Sequence, residues 1–290
     1  MKTLDAADFL VTRWMRNLTP EVMACGKPAI VWTHEPWFTV EPPPVVRRLH
    51  GFNDALVFSA HNRNVYTDNY YYAPDDSSLV PRSSGEVALI EDNDAERRRY
   101  ETRRVVFFGR RGRDKPLVCR GVDVSLYVKR SDLALALRER GICDIYGKEW
   151  PDGVSRGESR FARQLGAVEP RAAAKLAVLA DYPFSIAAEN ALIDYYVTEK
   201  LWEAIEGRTL PLYWPNQALA GVLPEGAVID LTGDPSPDTV VGGLHDMRFE
   251  EWRDRLNLLI DFYQRAQRGH WIARSRLRTE ANIRAAISCF

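Results

Sequence analysis

Polar residues between positions 189 and 200 have the composition of a site for a nucleotide diphosphate. Lys200 offers a cation for phosphate, and Asn190 and Tyr196 offer hydrogen-bond donors. Glu199 offers an acceptor for the two hydroxyls of a ribose, and Glu189 stands directly before Asn190. On position and charge alone, however, a solvated Glu–Lys pair on an ordinary amphipathic helix is the better explanation of Glu199 and Lys200.

This polar group lies within a predicted strand–helix–strand unit. Apolar runs predict strands at 184–188 and 210–214, and the stretch between them predicts a helix from about 194 to 206. In an open parallel sheet, ligands bind beyond the carboxyl ends of the strands, where helix N-termini offer N–H groups to phosphate. We therefore expect the polar residues to meet at such an edge, two after the strand and three in the first turns of the helix.

The predicted helix has an apolar stripe and a defined end. Val197, Leu201 and Ile205 recur at i, i+4 and i+8, which predicts the buried face. Gly207 is predicted to end the helix as the residue that follows its last turn. The two charged residues of the first turn fall outside this stripe.

The rest of the chain predicts two α/β halves, joined by a densely charged stretch near residue 100. Strands that alternate with helices indicate a parallel sheet with crossover helices. The predicted strands lie at about 9–12, 29–33, 55–59, 105–108 and 142–146, and the predicted helices at about 131–140 and 171–180.

Bulk composition excludes several classes of protein. The chain has 290 residues, 46 % of them hydrophobic, with 39 Lys and Arg against 40 Asp and Glu, which is ordinary for a globular protein. The balanced charge argues against a nucleic-acid binder, and no apolar run approaches the ~20 residues that cross a bilayer. The four cysteines form no CxxC motif and suggest neither zinc nor a disulfide framework. We expect a soluble, cytoplasmic enzyme or binding protein.

The strand–helix–strand unit resembles the donor-binding signature of the α1,3/α1,4-fucosyltransferases, glycosyltransferase family 10. That signature reads FEN, then YVTEKL, then approximately PIYWG. Here Ala188 stands where the family has Phe, and Pro215 stands where it has a small residue. Two further blocks are similar to the family's VDIYGK and LPPGSFI and follow in the family's order. The matching stretches are CDIYGK (143–148), AEN (188–190), YVTEKLW (196–202), LPLYW (210–214) and LPEGAVI (223–229).

The resemblance implies a GT-B fold, in which two Rossmann-like domains face a cleft, and GDP-fucose as the donor substrate. It implies that Lys200 contacts the donor diphosphate and that Glu199 contacts the ribose hydroxyls. Asn190 and Tyr196 would contact the phosphates or the sugar, and Glu189 belongs to the same donor-binding motif.

A donor-binding arginine is also implied near the start of the helix before the CDIYGK strand. Arg130 is the candidate, with a surface arginine as the alternative explanation. An insertion over about 109–128 blurs the alignment and leaves Arg111 and Arg120 open. We expect no cofactor and no required metal, because the sequence has no DxD motif at a donor-site position, and Lys200, Arg130 and a helix N-terminus can stabilise the departing diphosphate.

The catalytic base is assigned to Glu35. An inverting transfer needs a carboxylate that takes the proton of the acceptor hydroxyl, and the family places a Glu just after a strand of its N-terminal domain. Glu35 follows the predicted strand 29–33, whereas Glu41, beside three prolines, is the weaker alternative. From its Glu-Pro context alone, Glu35 would be an exposed carboxylate at a strand end.

The resemblance divides the chain into three parts. Residues 1–100 would form the acceptor-side Rossmann-like domain, without its first β-α unit, and residues 101–264 would form the GDP-fucose domain. Residues 265–290 hold six arginines against one acid and would brace the N-terminal domain. Weak contact with an anionic membrane is the alternative role for this basic tail.

The resulting hypothesis is an inverting transferase that moves fucose from GDP-fucose to a glycan hydroxyl, with an α1,3 bond to a GlcNAc-type sugar. The acceptor would be an oligosaccharide or a glycolipid, and the setting a bacterial cytoplasm or the inner face of its membrane. One alternative is the transfer of another GDP-linked deoxyhexose in surface polysaccharide or lipopolysaccharide synthesis. Another is a protein that binds nucleotide or glycan without catalysis.

Overall fold

The protein is described here by a computed structural model with an α/β architecture. The described residues are 10–12, 19–27, 29–33, 45–48, 54–59, 86–112, 116–119, 121–157, 171–193, 196–268, 277, 281, 284, 285 and 288. Two main sheets are present among them, one on each side of residue 86. Within these residues, no helix is both long enough and apolar enough to cross a membrane.

The first sheet has the order β1-β2-β4-β3. Strands β1, β2 and β4 are parallel, which confirms the α/β prediction for this half, and the three predicted strands agree with them to within one residue. The antiparallel strand β3 was not predicted, because its four residues directly follow a proline run that indicates a loop. The elements are β1 (Leu10–Thr12), α1 (Pro20–Met23), β2 (Ala29–Thr33), β3 (Val45–Arg48) and β4 (Asp54–Ser59).

The second half contains a five-stranded parallel sheet, a small hairpin and the helices that surround them. Its elements are α2 (Asp94–Glu101), β5 (Val105–Phe108), β6 (Val118–Cys119), β7 (Val122–Asp123), α3 (Tyr127–Glu139), β8 (Cys143–Tyr146), α4 (Arg171–Leu179), β9 (Phe184–Ile186), α5 (Glu199–Glu206), β10 (Leu210–Tyr213), α6 (Gln217–Ala220), β11 (Ile229–Asp230), α7 (Pro237–Asp246) and α8 (Phe249–Arg268).

The strand order of this sheet is β8-β5-β9-β10-β11, and every pair is parallel. Counted along the chain, the five strands stand in the order 2-1-3-4-5 of a doubly wound sheet. Strands β5 and β9 are the neighbours between which the order reverses. Ligands of such sheets bind beyond the carboxyl ends of the strands at this switch point.

Both faces of the sheet are covered by apolar side chains. Alternate residues of β5 point to opposite faces, so Phe107 packs in the main cluster with Leu137 of α3, whereas Val106 packs with Leu179 of α4. Trp252 of α8 is fully buried, and its indole N–H donates to the carbonyl of Pro183 at 3.0 Å. The buried strands therefore lack the polar alternation of a sheet with one solvated face.

The segment before α2 is held by the last helix. The amide side chain of Asn257 accepts from the backbone N–H of Ile90 at 2.7 Å and donates to its carbonyl at 3.0 Å. Gln264 donates to the carbonyl of Val87 at 2.5 Å. Tyr100 on α2 is 3 % exposed and packs in the main core.

The predicted domain boundaries require correction at both ends of this unit. Residues 86–100 pack with the second sheet, so the boundary at residue 100 falls inside α2. The charged sequence of α2 hid this, because few of its side chains face the core. Helix α8 continues across the predicted boundary at residue 264 to Arg268. The bracing role of residues 265–290 lies almost entirely outside the described residues and stays a prediction.

Candidate donor-binding site

The predicted donor residues collect around the start of α5 and the end of β9. Helix α5 begins at Glu199, five residues later than predicted, so Tyr196 lies in the loop before the helix and not in its first turn. The helix starts there because Thr198 has the extended backbone of a helix N-cap residue, with φ −110° and ψ −170°. Glu199 and Lys200 occupy the first turn as predicted.

Glu189 holds the residue that directly precedes this helix. Its carboxylate accepts from the backbone N–H of Thr198 at 2.7 Å and from the Thr198 hydroxyl at 2.5 Å. It also accepts from the Tyr213 hydroxyl at 3.4 Å, and it is 2 % exposed. A buried carboxylate with several donors orients the groups around it. Glu189 therefore positions the start of α5, and its direct contact with a donor substrate stays a prediction.

Lys200 extends along the same cluster of oxygen atoms. Its Nζ donates to the Thr198 hydroxyl at 2.7 Å and lies 3.3 Å from a carboxylate oxygen of each of Glu189 and Glu199. Burial would lower the pKa of Lys200, but Glu199 and Glu189 outweigh it and raise that pKa, so the ammonium stays charged. The ammonium lies at the positive end of the α5 dipole, where an anion is favoured.

Glu199 is the more exposed partner of Lys200, with 40 % of its side chain accessible. Burial would raise the pKa of Glu199, but Lys200 and Lys175 together hold it at about 2. The carboxylate is therefore ionised near neutral pH and is available as a hydrogen-bond acceptor, as the ribose contact requires.

Arg130 lies in the first turn of α3 and is 3 % exposed, so the surface-arginine alternative is wrong. Its Nη1 donates to the carbonyl of Ala188 at 3.1 Å, directly before Glu189. Its guanidinium lies 4.9 Å from the centre of the Tyr127 ring and 6.0 Å from that of Phe107. Among the described residues, its Nε has no hydrogen-bond partner and the guanidinium forms no ion pair. Such a cation has unused capacity for an anion.

The two other candidate arginines are placed differently. Arg111 pairs with Asp132 at 3.0 Å, and 35 % of its side chain is exposed. Its guanidinium also lies 5.7 Å from the centre of the Trp150 ring. Arg120 lies outside the described residues. Of the arginines whose positions are known, Arg130 is the one next to the β9 loop.

Asn190 and Tyr196 are brought together on the other side of this loop. The Asn190 amide donates to the Tyr196 hydroxyl at 3.3 Å, and Tyr196 is 4 % exposed.

The sequence insertion at about 109–128 contains the hairpin β6–β7, whose end joins this loop through backbone hydrogen bonds. Leu126 N–H donates to the Asn190 carbonyl at 3.0 Å, and Leu192 N–H donates to the Val124 carbonyl at 2.8 Å. The insertion therefore supports the site instead of only interrupting the alignment.

The apolar stripe predicted for α5 is confirmed, and so is the end of the helix at Gly207, which is its C-cap residue. Val197, Leu201 and Ile205 are each at most 1 % exposed, although Val197 lies before the helix. Gly207 has φ −80°, and the left-handed residue is Arg208, with φ 57°. Glycine is required at 207 for another reason, because a Cβ there would lie 2.4 Å from the Cβ of Leu179 on α4. Two helices approach closely at this point.

Sequence reasoning missed Thr198, Tyr213 and Lys175, which hold the charged residues in place. Only Thr198 carried a usable signal, since threonine directly before a helix is a common N-cap residue.

Glu35 and its weaker alternative Glu41 both lie outside the described residues. The catalytic base therefore stays a prediction. Among the described residues, no group of three or more His, Cys, Asp or Glu side chains is arranged to hold a metal ion.

A family model described as glycosyltransferase family 10 (fucosyltransferase) C-term matches residues 118–267, slightly more than half of the chain. The chain belongs to glycosyltransferase family 10. The family-10 match includes every predicted donor-side residue from Arg130 to Lys200 and confirms the resemblance deduced from the sequence. It does not include Glu35.

Curated fucosyltransferases align with shorter segments. An alpha-(1,3)-fucosyltransferase C of Drosophila melanogaster is 33 % identical over 102 residues, which is 35 % of this chain and 21 % of the fly protein. A GDP-fucose protein O-fucosyltransferase 3 of Bos taurus is 43 % identical over 47 residues, 16 % of this chain and 10 % of the bovine protein. The aligned segments thus span about a fifth and a tenth of these relatives.

Solved structures of an alpha1,3-fucosyltransferase also align with the chain. The complex with GDP-fucose is 14 % identical, with a TM-score of 0.42, and the alignment covers 86 % of this chain and 69 % of that chain. The structure without a named ligand is 12 % identical, with a TM-score of 0.44 and the same coverage.

Proposed function

We propose that the protein is an inverting fucosyltransferase that transfers fucose from GDP-fucose to a hydroxyl of a glycan. The observation that carries this proposal is the pairing of two cations at the switch point of a family-10 sheet. Lys200 lies at the start of α5, and Arg130 is buried beside Ala188 without a carboxylate partner among the described residues. A diphosphate that bound there would meet two cations and the N-terminus of α5, which is eight residues long.

The residues of the site have separate tasks in this reaction. Lys200 and Arg130 stabilise the negative charge that grows on the departing GDP. This stabilisation is electrostatic and needs no proton transfer to GDP. Glu199 accepts from the ribose hydroxyls and fixes the nucleoside. Lys200 and Arg130 can bear this charge without a divalent metal, so we propose a metal-independent reaction. The expected result is turnover that survives a chelator.

Bond changes at the sugar complete the proposal. The bond from fucose C1 to the GDP oxygen breaks while the acceptor oxygen bonds to C1 from the opposite face, which inverts the configuration. The acceptor hydroxyl gives its proton to the base, assigned to Glu35, and GDP leaves with the electron pair of the broken bond. The curated fly relative is named for an α-(1,3) linkage, and this supports a proposal of the same linkage here.

The acceptor and the setting follow as further proposals. We propose an oligosaccharide or glycolipid acceptor with a GlcNAc-type sugar, modified in a bacterial cytoplasm or at the inner face of its membrane. The basic composition of residues 265–290 supports contact with an anionic surface.

The first experiment measures GDP release from GDP-fucose with LacNAc, lactose, GlcNAc and lipopolysaccharide fragments as acceptors. A thermal-shift series with GDP, UDP, CMP and dTDP accompanies it, and stabilisation by GDP alone is expected. Stabilisation by UDP but not by GDP would contradict the proposal. Binding of GDP without turnover on any acceptor would favour the non-catalytic alternative, and turnover with a different GDP-deoxyhexose would change the donor.

The second experiment tests the base with Glu35→Gln, and Glu41→Gln as the matched control. We expect Glu35→Gln to lower kcat by about 10²- to 10⁴-fold, which is the usual contribution of general base catalysis. The GDP affinity should stay within about twofold, because the base acts on the acceptor. Full turnover of Glu35→Gln with a loss in Glu41→Gln would move the base to Glu41.

A further inference from the structure

An ion pair joins the two helices that flank β9. Lys175 of α4 donates to Glu203 of α5 with an Nζ to Oε2 distance of 2.5 Å. The Lys175 side chain is 21 % exposed and that of Glu203 is 7 % exposed, so the pair is largely removed from water. Glu203 follows Glu199 by four residues, which places both carboxylates on one face of α5.

Lys175 is held in place by apolar neighbours. Its Nζ lies 5.2 Å from the centre of the Phe108 ring, and Phe108 is the last residue of β5. That ring stacks on Tyr146 of β8 with a centre-to-centre distance of 5.1 Å. The close approach of Gly207 to Leu179 keeps α4 and α5 together one turn further along. The cation is therefore fixed near the carboxyl end of β5, on the side of the sheet switch point.

Charged groups reach Glu199 from every element packed around it. Lys200 follows it on α5, Lys175 comes from α4, and Arg130 comes from α3. The negative groups are Glu203 on the same helix and Glu189 after β9. The two lysines outweigh the burial of Glu199 and keep its pKa low.

We propose that Lys175 is a positioning residue for Glu199 in donor binding. Glu203 anchors Lys175, and Lys175 supplies a fixed positive charge behind the Glu199 carboxylate. The carboxylate therefore stays ionised and directed at the donor. Because Lys175 compensates this carboxylate, Lys200 is free to turn from Glu199 to the diphosphate. The inference rests on the proposed function, in which Glu199 accepts from the ribose of GDP-fucose.

Three variants that change charge, with Lys175→Arg as the conservative control, separate this role from a merely structural one. Lys175→Met removes the charge and keeps the stem of the side chain. Glu203→Gln breaks the ion pair but leaves the charge of Lys175 near Glu199. The double variant Lys175→Met/Glu203→Gln removes both charges and leaves an electrically neutral contact between the helices, so it carries the test if Lys175→Met does not fold.

The measurement is GDP affinity by titration calorimetry between about pH 4 and pH 8, with donor KM and kcat beside it. We expect Lys175→Met to weaken GDP binding about three- to tenfold near pH 7, and the double variant to weaken it less, because loss of Glu203 also removes a carboxylate that opposes Glu199. Because loss of a neighbouring cation raises the pKa of a carboxylate, the fall in affinity at low pH should begin at a higher pH than in the wild type. Donor KM should rise while kcat changes less than about twofold. Glu203→Gln should stay within about twofold of the wild type, and Lys175→Arg should restore the affinity.

Two results would overturn the inference. In one, Glu203→Gln weakens GDP binding as much as Lys175→Met, and the double variant binds like the wild type, which means that the pair only joins the helices. In the other, Lys175→Met binds GDP like the wild type at every pH. Failure of the wild-type protein to bind GDP would instead count against the proposed function itself.

Discussion

Arginines that are partly or fully buried lie at both ends of the second sheet, but their partners differ. At the amino end, Glu96 of α2 is shared by Arg99 at 3.1 Å and Arg208 at 2.7 Å. Arg99 also donates to the Arg208 carbonyl, and its guanidinium lies 5.3 Å from the centre of the Trp252 ring. At the carboxyl end, Arg130 reaches one backbone carbonyl and, within the described part of the chain, no carboxylate.

The carboxylate, and not the number of hydrogen bonds, distinguishes the two ends. The Nε atoms of Arg99 and Arg208 also have no hydrogen-bond partner among the described residues, as does that of Arg130. Burial lowers the pKa of Arg99 to about 10 although Glu96 opposes that change. A compensated cation contributes to stability, whereas a buried cation without a carboxylate costs free energy until an anion binds. The amino end therefore holds the fold together, and the carboxyl end is prepared for a ligand.

The strongest test of this contrast is Glu96→Gln at the amino end. It leaves the partly buried guanidinium groups of Arg99 and Arg208 without their shared carboxylate, and we expect the free energy of unfolding to fall by about 3 kcal/mol. Urea unfolding followed by circular dichroism measures the loss. GDP affinity of the folded variant should equal that of the wild type, and a marked loss of affinity would erase the distinction between the ends.

Lys200→Ala tests the carboxyl end with the next largest effect. Loss of a charge-assisted hydrogen bond to the diphosphate should weaken GDP binding by about 2 kcal/mol. Arg140→Ala is the control, since Arg140 forms an exposed ion pair with Asp238 at the far end of α3. Calorimetry should show the loss for Lys200→Ala only, and unchanged GDP affinity would remove this residue from the donor site.

Arg130→Met sharpens the comparison because it should separate binding from stability. We expect GDP affinity to fall by about 1.5 kcal/mol, while the free energy of unfolding stays the same or rises, since a buried cation without a direct ion pair is removed. Arg99→Met is the matched control and should lower stability without changing GDP affinity. If Arg130→Met unfolds as easily as Arg99→Met and still binds GDP, the cation is structural.

The smallest expected effect is a pH dependence of stability from Glu199. Its pKa of about 2 lies below that of an unfolded glutamate, so its contribution is complete above about pH 4.5 and is lost as the pH falls toward 2. Because the side chain is 40 % exposed, solvent screening limits the contribution to about 1 kcal/mol. Urea unfolding should show that the free energy of unfolding falls less with falling pH in this range for Glu199→Gln than for the exposed control Glu225→Gln. Equal slopes would show that Lys200 and Lys175 do not hold the carboxylate.

The sequence predicted the parallel sheet and the residues of the donor site because short-range patterns encode them. Apolar runs located β5 and β10 to within a residue, and the spacing of Leu201 and Ile205 identified the buried face of α5. Family motifs then singled out Lys200. These features depend on neighbours within one turn or one strand, which a single chain displays directly.

Features that depend on distant contacts were not predictable in the same way. The helical start at Glu199 depends on Glu189, nine residues from the Thr198 N–H that it binds. The need for glycine at 207 comes from Leu179 on another helix. Helix α2 belongs to the second unit because Tyr100 is buried in its core. The charged residues around Tyr100 gave no sign of this burial in the sequence. Hydrophobic periodicity within one helix or strand cannot predict such contacts, because the two partners lie in different parts of the chain.

The bonds from α8 to the segment before α2 also constrain how the chain acquires its structure. Asn257 and Ile90 are 167 residues apart along the chain, and Gln264 and Val87 are 177 apart. During synthesis, the five strands emerge from the ribosome before the helix that secures the beginning of their own unit. Contacts of such sequence separation slow folding, so the nascent chain exposes apolar surface until the last helix docks. Shortened versions of the protein that end before residue 249 should for this reason accumulate in inclusion bodies.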